Sequence, residues 1–143
     1  MDPFEEVMKY KIGIETGIIS IEEFSKFIDD EMSRLDNISD IYIEVALHIN
    51  RGAKELLSAI SDYCKDNRLV LTSSQEEKIK KYLLNIVKDK YLSKKIDMKE
   101  CTHCISQVGS YFEPLSTLAN MEYYYDISVD YPLYTFVYIR ENW

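Results

Sequence analysis

The sequence predicts an all-α fold: a single-domain bundle of about six to seven short amphipathic helices, with a C-terminal tail that is helical or extended. Glycine and proline number only four and three in 143 residues, so few of the tight turns of a β fold are available. Apolar residues recur at steps of three and four in segment after segment, which is the period of an amphipathic helix. Hydrophobic residues make up 46% of the chain, which excludes general disorder.

The clearest predicted helix runs from Ser20 to Leu35. Ser20 and Glu23 have the spacing of a capping box, in which two side chains satisfy backbone N–H groups at the start of a helix. Its apolar residues share one side of the helix: Ile21, Phe24, Phe27, Ile28, Met32 and Leu35. Its acidic residues occupy the opposite side: Glu22, Glu23, Asp29, Asp30 and Glu31. One side should therefore enter a core, and the acidic side is left for solvent or a partner.

The remaining N-terminal segments are predicted from caps and stripes. Asp2 and Pro3 suit the N-cap and first turn of a helix that reaches about Thr16 and stops at Gly17. Residues 40–50 alternate like a strand and also carry a helical stripe; we favour a helix, because a lone strand would lack partners. A further amphipathic helix begins near Ala53 and ends near Asp66 and Asn67.

In the second half, Thr72-Ser73-Ser74 should cap a helix, with Ser74 and Glu77 at capping-box spacing. Asp97 and Glu100 mark a further start, and Gly109 is the expected end of that helix. Pro114 should open a helix that reaches about Tyr125. The segment 133–139 has strong β propensity, but a short terminal helix is equally compatible with it.

Charge limits the classes of partner. The net charge is −8, which argues against general nucleic-acid or anionic-membrane binding and permits a basic partner. Residues 1–50 hold 12 acidic and 4 basic residues, whereas residues 51–110 hold 8 and 12. No apolar run approaches the roughly 20 residues of a membrane span, the N-terminus lacks signal-peptide features, and the three cysteines suit a reducing compartment. We therefore expect a cytoplasmic protein.

Catalytic and metal-binding motifs are weak. Cys101 and Cys104 form a CxxC pair, but a zinc site needs about four ligands, and two remote residues would have to join them. Both cysteines lie on the apolar stripe of their predicted helix, which favours core packing over a zinc or thiol-redox site. No phosphate loop or hydrolase motif is present, and His48 and His103 form no obvious pair. We expect no enzyme activity, no metal and no cofactor.

The C-terminal region is rich in tyrosine, with seven of the twelve tyrosines in the last 33 residues. Three consecutive tyrosines, 123–125, cannot all face one core from a helix, because each residue rotates by about 100°. Tyrosines flanked by Glu122, Asp126 and Asp130 therefore suit a protein-binding surface, although the same rings could instead cover the core of a small domain.

The stretch GIISIEEFSKFIDDEMSRLDNISDIYIEVAL, followed by KELLSAI and Cys64, resembles a family of small helical bacterial proteins. Members of that family act as cytosolic immunity proteins of polymorphic toxin systems. The resemblance covers roughly Tyr10 to Cys64 and implies an all-α fold whose task is to bind and neutralise a cognate toxin. It implies no catalytic residues.

We therefore expect an immunity protein whose acidic, tyrosine-rich surface occludes the active site or an adjacent exosite of a toxin, for example a nuclease. The surface of that toxin should be basic. The expected partner-binding residues are Glu22, Glu23, Asp29, Asp30, Glu122, Tyr123, Tyr124, Asp126 and Asp130. Acidic side chains would steer the encounter and tyrosines would supply most of the affinity. The alternative is a helical regulatory adaptor that binds a partner helix in an apolar groove. The oligomeric state is left open.

Overall fold

The computed structural model describes residues 2–114, 116, 118–121 and 131–143, and every regular element in these ranges is helical, which confirms the all-α prediction. The described α-helices are α1 (Pro3–Glu15), α2 (Ile21–Arg34), α3 (Asp40–His48), α4 (Ala53–Asp66), α5 (Ser73–Leu92), α6 (Met98–Phe112) and α7 (Tyr131–Asn142). A 3-10 helix, Ile49–Arg51, follows α3 directly. None of the helices in these ranges is both long and apolar enough to cross a bilayer.

The chain divides into two compact units, an N-terminal unit (Met1–Gln75) and a C-terminal unit (Glu76–Trp143). In the N-terminal unit, α3 packs against α4 and also contacts α1 and α2. In the C-terminal unit, α6 contacts α7. The single-domain organisation stays a prediction.

The start of α1 and its connection to α2 follow the predicted signals. The carboxylate of Asp2 accepts a hydrogen bond from the backbone N–H of Glu5 at 2.8 Å, as an N-cap should. After α1, Gly17 adopts a φ of +76°, the left-handed conformation that glycine tolerates at a helix end. The carbonyl of Gly13 accepts hydrogen bonds from the N–H groups of Ile18 and Ile19, at 2.8 and 3.0 Å. These bonds form a tight corner between α1 and α2.

Residues 40–48 form a helix, as favoured, rather than a strand. Ile41, Tyr42 and Val45 are buried, whereas Ile43 and Leu47 are exposed, which is the three-to-four-residue pattern of a helix and not the alternation of a strand. The alternating apolar residues that suggested a strand are therefore divided between the core and the surface.

The core of the N-terminal unit combines aliphatic and aromatic side chains from α1 to α4. Its buried members are Val7, Phe24, Ile28, Ile41, Tyr42, Val45, Ile49, Leu56 and Ile60. The ring of Tyr10 in α1 stacks on Phe24 and on Phe27 of α2, with both centroid distances at 4.8 Å. Phe27 in turn meets Tyr42 of α3 edge-on, at 5.8 Å. This aromatic row attaches α2 to both neighbours.

Three local predictions in the second half are wrong. The capping box before α5 joins Thr72 to Gln75 rather than Ser74 to Glu77: the N–H of Gln75 donates to Thr72 Oγ1 at 3.1 Å, and the N–H of Thr72 donates to Gln75 Oε1 at 2.9 Å. Gly109 does not end α6, which continues to Phe112. Pro114 lies in a turn instead of opening a helix, and the predicted end of that helix near Tyr125 lies outside the described residues.

Gly109 lies inside α6 because another part of the backbone approaches it. A Cβ atom at this position would lie 2.5 Å from the backbone nitrogen of Ala119 and 2.7 Å from the carbonyl carbon of Leu118. The glycine thus permits close packing rather than a turn. The Asp97–Glu100 capping box at the start of α6 is confirmed, with the N–H of Glu100 donating to Asp97 Oδ1 at 2.8 Å.

The C-terminal helix settles the alternatives left open for residues 133–139, because they lie within α7. Trp143 follows α7 and packs against two tyrosine rings of the C-terminal unit, Tyr91 at 6.2 Å and Tyr138 at 5.8 Å between centroids. In the same unit, Lys80 pairs with Glu77 and with Glu113, at 3.2 and 2.8 Å.

Candidate functional site

The acidic face of α2, formed by Glu22, Glu23, Asp29 and Asp30, is exposed as predicted. On the opposite side of the same helix Phe24 and Ile28 are buried, at 0% and 1% exposure. Because these anchors and the aromatic row fix the rotation of α2, the four carboxylates are held away from the core.

Glu23 differs from the other three residues, because its carboxylate already has a structural role. Its Oε2 accepts the backbone N–H of Ser20 at 2.7 Å, and its own N–H donates to Ser20 Oγ at 3.1 Å. This reciprocal pair is the predicted capping box. The carboxylates of Glu22, Asp29 and Asp30 make no ion pair with any described residue within 4.0 Å. These three are the acidic groups of α2 that remain available to a partner.

Other carboxylates of the N-terminal unit are neutralised within their own helix. Glu31 pairs with Arg34 at 2.6 Å, Glu6 pairs with Lys9 at 2.9 Å, and Lys11 pairs with Glu15. The Glu6–Lys9 pair is close but poorly aligned, since Glu6 Oε2 is buried without a hydrogen bond of good geometry among the described residues. These ion pairs join residues three or four positions apart and are only partly exposed, and they cancel charge. The field of this unit therefore comes mainly from its unpaired acids.

A second acidic surface lies between α3 and α4, where sequence reasoning did not predict one. This α3–α4 cleft has a volume of about 390 Å³ and is lined by Glu44, His48, Glu55, Ser58, Ala59, Asp62, Tyr63 and Asp66. Asp62 and Asp66 are exposed and make no ion pair with a described residue, whereas Glu55 lies 3.7 Å from Arg51. Four carboxylates from two helices thus converge on one depression.

The pKa of Tyr63, which lines this cleft, is affected both by burial and by nearby carboxylates. Burial, followed by the carboxylates of Asp40 and Glu44, raises the pKa of Tyr63 above its ordinary value. His48 lies on the same side of α3, with its Nδ1 atom 2.9 Å from the carbonyl oxygen of Glu44 and 3.6 Å from the Glu44 carboxylate. The sequence signal for the cleft would have been the four-residue spacing of Asp40 to Glu44 and of Asp62 to Asp66, combined with knowledge that α3 and α4 are neighbours.

Tyr42 is a buried phenol of the N-terminal unit, and burial is the main reason that its ionisation is disfavoured. It is 3% exposed, and burial followed by the carboxylates of Glu31 and Glu6 raises its pKa to about 12. Arg34 acts in the opposite direction. The neutral phenol is therefore strongly favoured in the folded protein, which suits a structural role in the aromatic row.

The C-terminal half of the predicted surface lies outside the described residues. It comprises Glu122, Tyr123, Tyr124, Asp126 and Asp130. Its proximity to the acidic face of α2 stays a prediction. The described acidic face and the α3–α4 cleft both belong to the N-terminal unit, where residues 1–75 hold 15 acidic and 8 basic residues, against 10 and 9 in residues 76–143.

Core packing was predicted for both cysteines of α6, and it is observed for Cys101. This side chain is 0% exposed, and burial raises the pKa of its thiol to about 12. Cys104 is half-buried and His103 is exposed. None of the three cysteines forms a disulfide. Over the described ranges, no group of three or more His, Cys, Asp and Glu side chains is arranged to hold a metal ion.

Comparison with known proteins adds no family. No protein family, curated protein or solved structure matches the chain.

Proposed function

We propose that this protein is an immunity protein that binds a basic toxin and neutralises it by covering the active site or a neighbouring exosite. The observation that carries the proposal is the acidic face of α2, where Glu22, Asp29 and Asp30 are exposed and lack basic partners among the described residues. Unpaired carboxylates on a rigid helix retain their field, and a field of this sign attracts a basic surface and accelerates association.

The class of partner follows from charge and from the resemblance of residues 10–64 to immunity proteins. Toxins that cut nucleic acid need a basic cleft to hold phosphates. A negatively charged protein that fits over such a cleft competes with the substrate for the same field. The N-terminal unit contains both the stretch that resembles immunity proteins and a larger excess of acidic over basic residues than the C-terminal unit.

The test is rescue of growth. A toxic domain encoded beside the gene for this chain is expressed in bacteria, with and without the chain, and the complex is measured by titration calorimetry at several salt concentrations. We expect survival, nanomolar binding, and affinity that falls as salt rises. If no neighbouring product is toxic, or if the toxic product neither binds nor is neutralised, the proposal is wrong.

A charge-reversal variant locates the contact. Glu22→Lys, Asp29→Lys and Asp30→Lys are combined, and Glu23 is left intact because its carboxylate caps the helix. We expect at least a tenfold loss of affinity and a weaker dependence on salt. The matched control reverses two exposed acids of the C-terminal unit, Glu76 and Asp89, and should leave affinity within about twofold.

The adaptor alternative has one observation in its favour. Ile43 and Leu47 are 40% and 62% exposed at i,i+4 spacing on α3, so an apolar contact is available to a partner. An adaptor of this kind would bind a partner helix with little dependence on salt. Salt dependence of the native complex therefore separates the two functions.

A further inference from the structure

The outer side of α3 carries an apolar surface that nothing in the N-terminal unit covers. Ile43 and Leu47 are one helical turn apart on α3, and they are 40% and 62% exposed. By contrast, Ile41 and Val45 of the same helix are at most 4% exposed. Residues separated by four positions on a helix lie side by side and make one continuous surface. The two side chains thus form one small contiguous apolar patch instead of being scattered singly over the surface.

The same helix borders the α3–α4 cleft through its next row of residues. Glu44 follows Ile43 and His48 follows Leu47, and both line the cleft with Asp62 and Asp66 from α4. An apolar strip on α3 therefore runs alongside a depression whose ionised groups are carboxylates, with Arg51 compensating only Glu55 at 3.7 Å. Any partner that covers the apolar strip would therefore lie beside these carboxylates.

We propose that α3 and the α3–α4 cleft dock a basic segment of a partner protein, with one aliphatic or aromatic side chain on Ile43 and Leu47 and lysine or arginine side chains in the cleft. The apolar contact supplies affinity in a desolvated centre, and the carboxylates supply orientation and specificity. This inference rests on the proposed function for the identity of the partner, but it names a surface other than the acidic face of α2.

Charge complementarity favours a basic partner over the other obvious occupants of this strip. A second copy of the chain, docked through the same side of α3, would bring the two sets of cleft carboxylates together, and the neighbouring Arg51 already lies 3.7 Å from Glu55. An anionic lipid surface would meet the same repulsion. A partner with basic side chains next to an apolar anchor matches both the apolar strip and the cleft.

The experiment uses a defined probe and the full chain. The probe is a fluorescein-labelled 15-residue peptide with lysines flanking a central leucine–phenylalanine pair, and its binding is followed by fluorescence anisotropy at 50 and 300 mM salt. Two further peptides replace the apolar pair by serine or all lysines by glutamate. We expect micromolar binding of the first peptide, at least a tenfold weaker Kd for the serine peptide, and no binding of the glutamate peptide.

Variants of the protein then place the peptide. Ile43→Ser with Leu47→Ser, and separately Asp62→Lys with Asp66→Lys, should each raise the Kd at least tenfold. A matched apolar control, Val70→Ser, removes an 81% exposed side chain elsewhere in the unit and should change the Kd less than twofold. All these residues are exposed, so unchanged circular dichroism spectra are expected.

The outcomes separate this inference from the proposed function. If the peptide does not bind, or if the α3 and α4 variants bind it as well as the wild type, the docking surface is wrong. If only the reversal at Glu22, Asp29 and Asp30 weakens peptide binding, the acidic face of α2 is the contact and the α3 proposal falls while the proposed function stands. If the chain dimerises through Leu47 in light scattering, a second copy is the occupant and the proposal is wrong.

Discussion

Replacement of Gly13 by alanine tests the corner between α1 and α2. A Cβ atom on Gly13 would lie 2.4 Å from Cδ1, 2.6 Å from Cγ1 and 2.9 Å from Cβ of Ile19, which is 6% exposed and has little room to move. Alanine in a helix is otherwise favoured over glycine by about 0.5–1 kcal/mol. Overpacking of a filled site costs about 1–3 kcal/mol. We therefore expect a net loss of about 1–2 kcal/mol and a melting temperature lower by about 4–8 °C.

A double-mutant cycle identifies the contact responsible. Ile19→Ala removes the two atoms nearest to the added Cβ but keeps the Ile19 Cβ, at 2.9 Å, so Gly13→Ala should cost clearly less in that background, and the coupling free energy should be about 1 kcal/mol. Gly17→Ala is the matched control: its φ of +76° makes alanine costly by about 1–2 kcal/mol, but no atom lies within 4 Å of its Cβ. Urea unfolding followed by circular dichroism supplies all the free energies. Additivity of Gly13→Ala and Ile19→Ala within about 0.5 kcal/mol would refute the reasoning.

Three further predictions concern a cap, a phenol and a thiol. Thr72→Ala should lower the free energy of urea unfolding by about 1 kcal/mol, and Ser74→Ala by less than half as much; equal losses would contradict the observed capping box. The raised pKa of Tyr42 means that the folded state keeps a proton that the unfolded state loses, so the free energy of unfolding falls as pH rises from 10 towards 12. By pH 11 the wild type should lose about 1.4 kcal/mol of stability that Tyr42→Phe retains. Parallel pH profiles of the two proteins would count against this. Cys101 should react with a thiol reagent only as fast as the native protein opens, so Cys101→Ala should leave the fast phase of modification unchanged.

Helix boundaries were predictable where a local signal and a periodic stripe agreed. Ser20 with Glu23 and Asp97 with Glu100 mark helix starts by side-chain bonds that span only three residues, so no tertiary information is needed. Within the predicted capping segment Thr72-Ser73-Ser74, Ser74 was the predicted capping-box residue because a glutamate, Glu77, follows it at the right spacing. Gln75 is an equally good partner, and the choice depends on where the helix packs.

Features that depend on contacts between residues far apart in the chain could not be predicted from the sequence. Gly109 was predicted to end α6, because a glycine after a run of apolar residues at helical spacing is a common helix end. In the structure, its missing side chain instead allows the backbone of Ala119 to pack closely. The α3–α4 cleft was missed for a related reason. Its carboxylates are dispersed between Glu44 and Asp66, and only the packing of two helices brings them together. The acidic face of α2, by contrast, belongs to one helix and could be predicted in full.

The corner after α1 also affects how the protein can meet a partner. The carbonyl of Gly13 accepts hydrogen bonds from the N–H groups of Ile18 and Ile19, and the hydroxyl of Thr16 donates a hydrogen bond to the carbonyl of Ile12 at 2.8 Å. A connection bonded in this way has little conformational freedom to lose, so α2 is already oriented before any encounter. Contacts made through the acidic face of α2 should then require ordering of side chains alone, and their rate of formation should be governed by diffusion and charge rather than by a folding step.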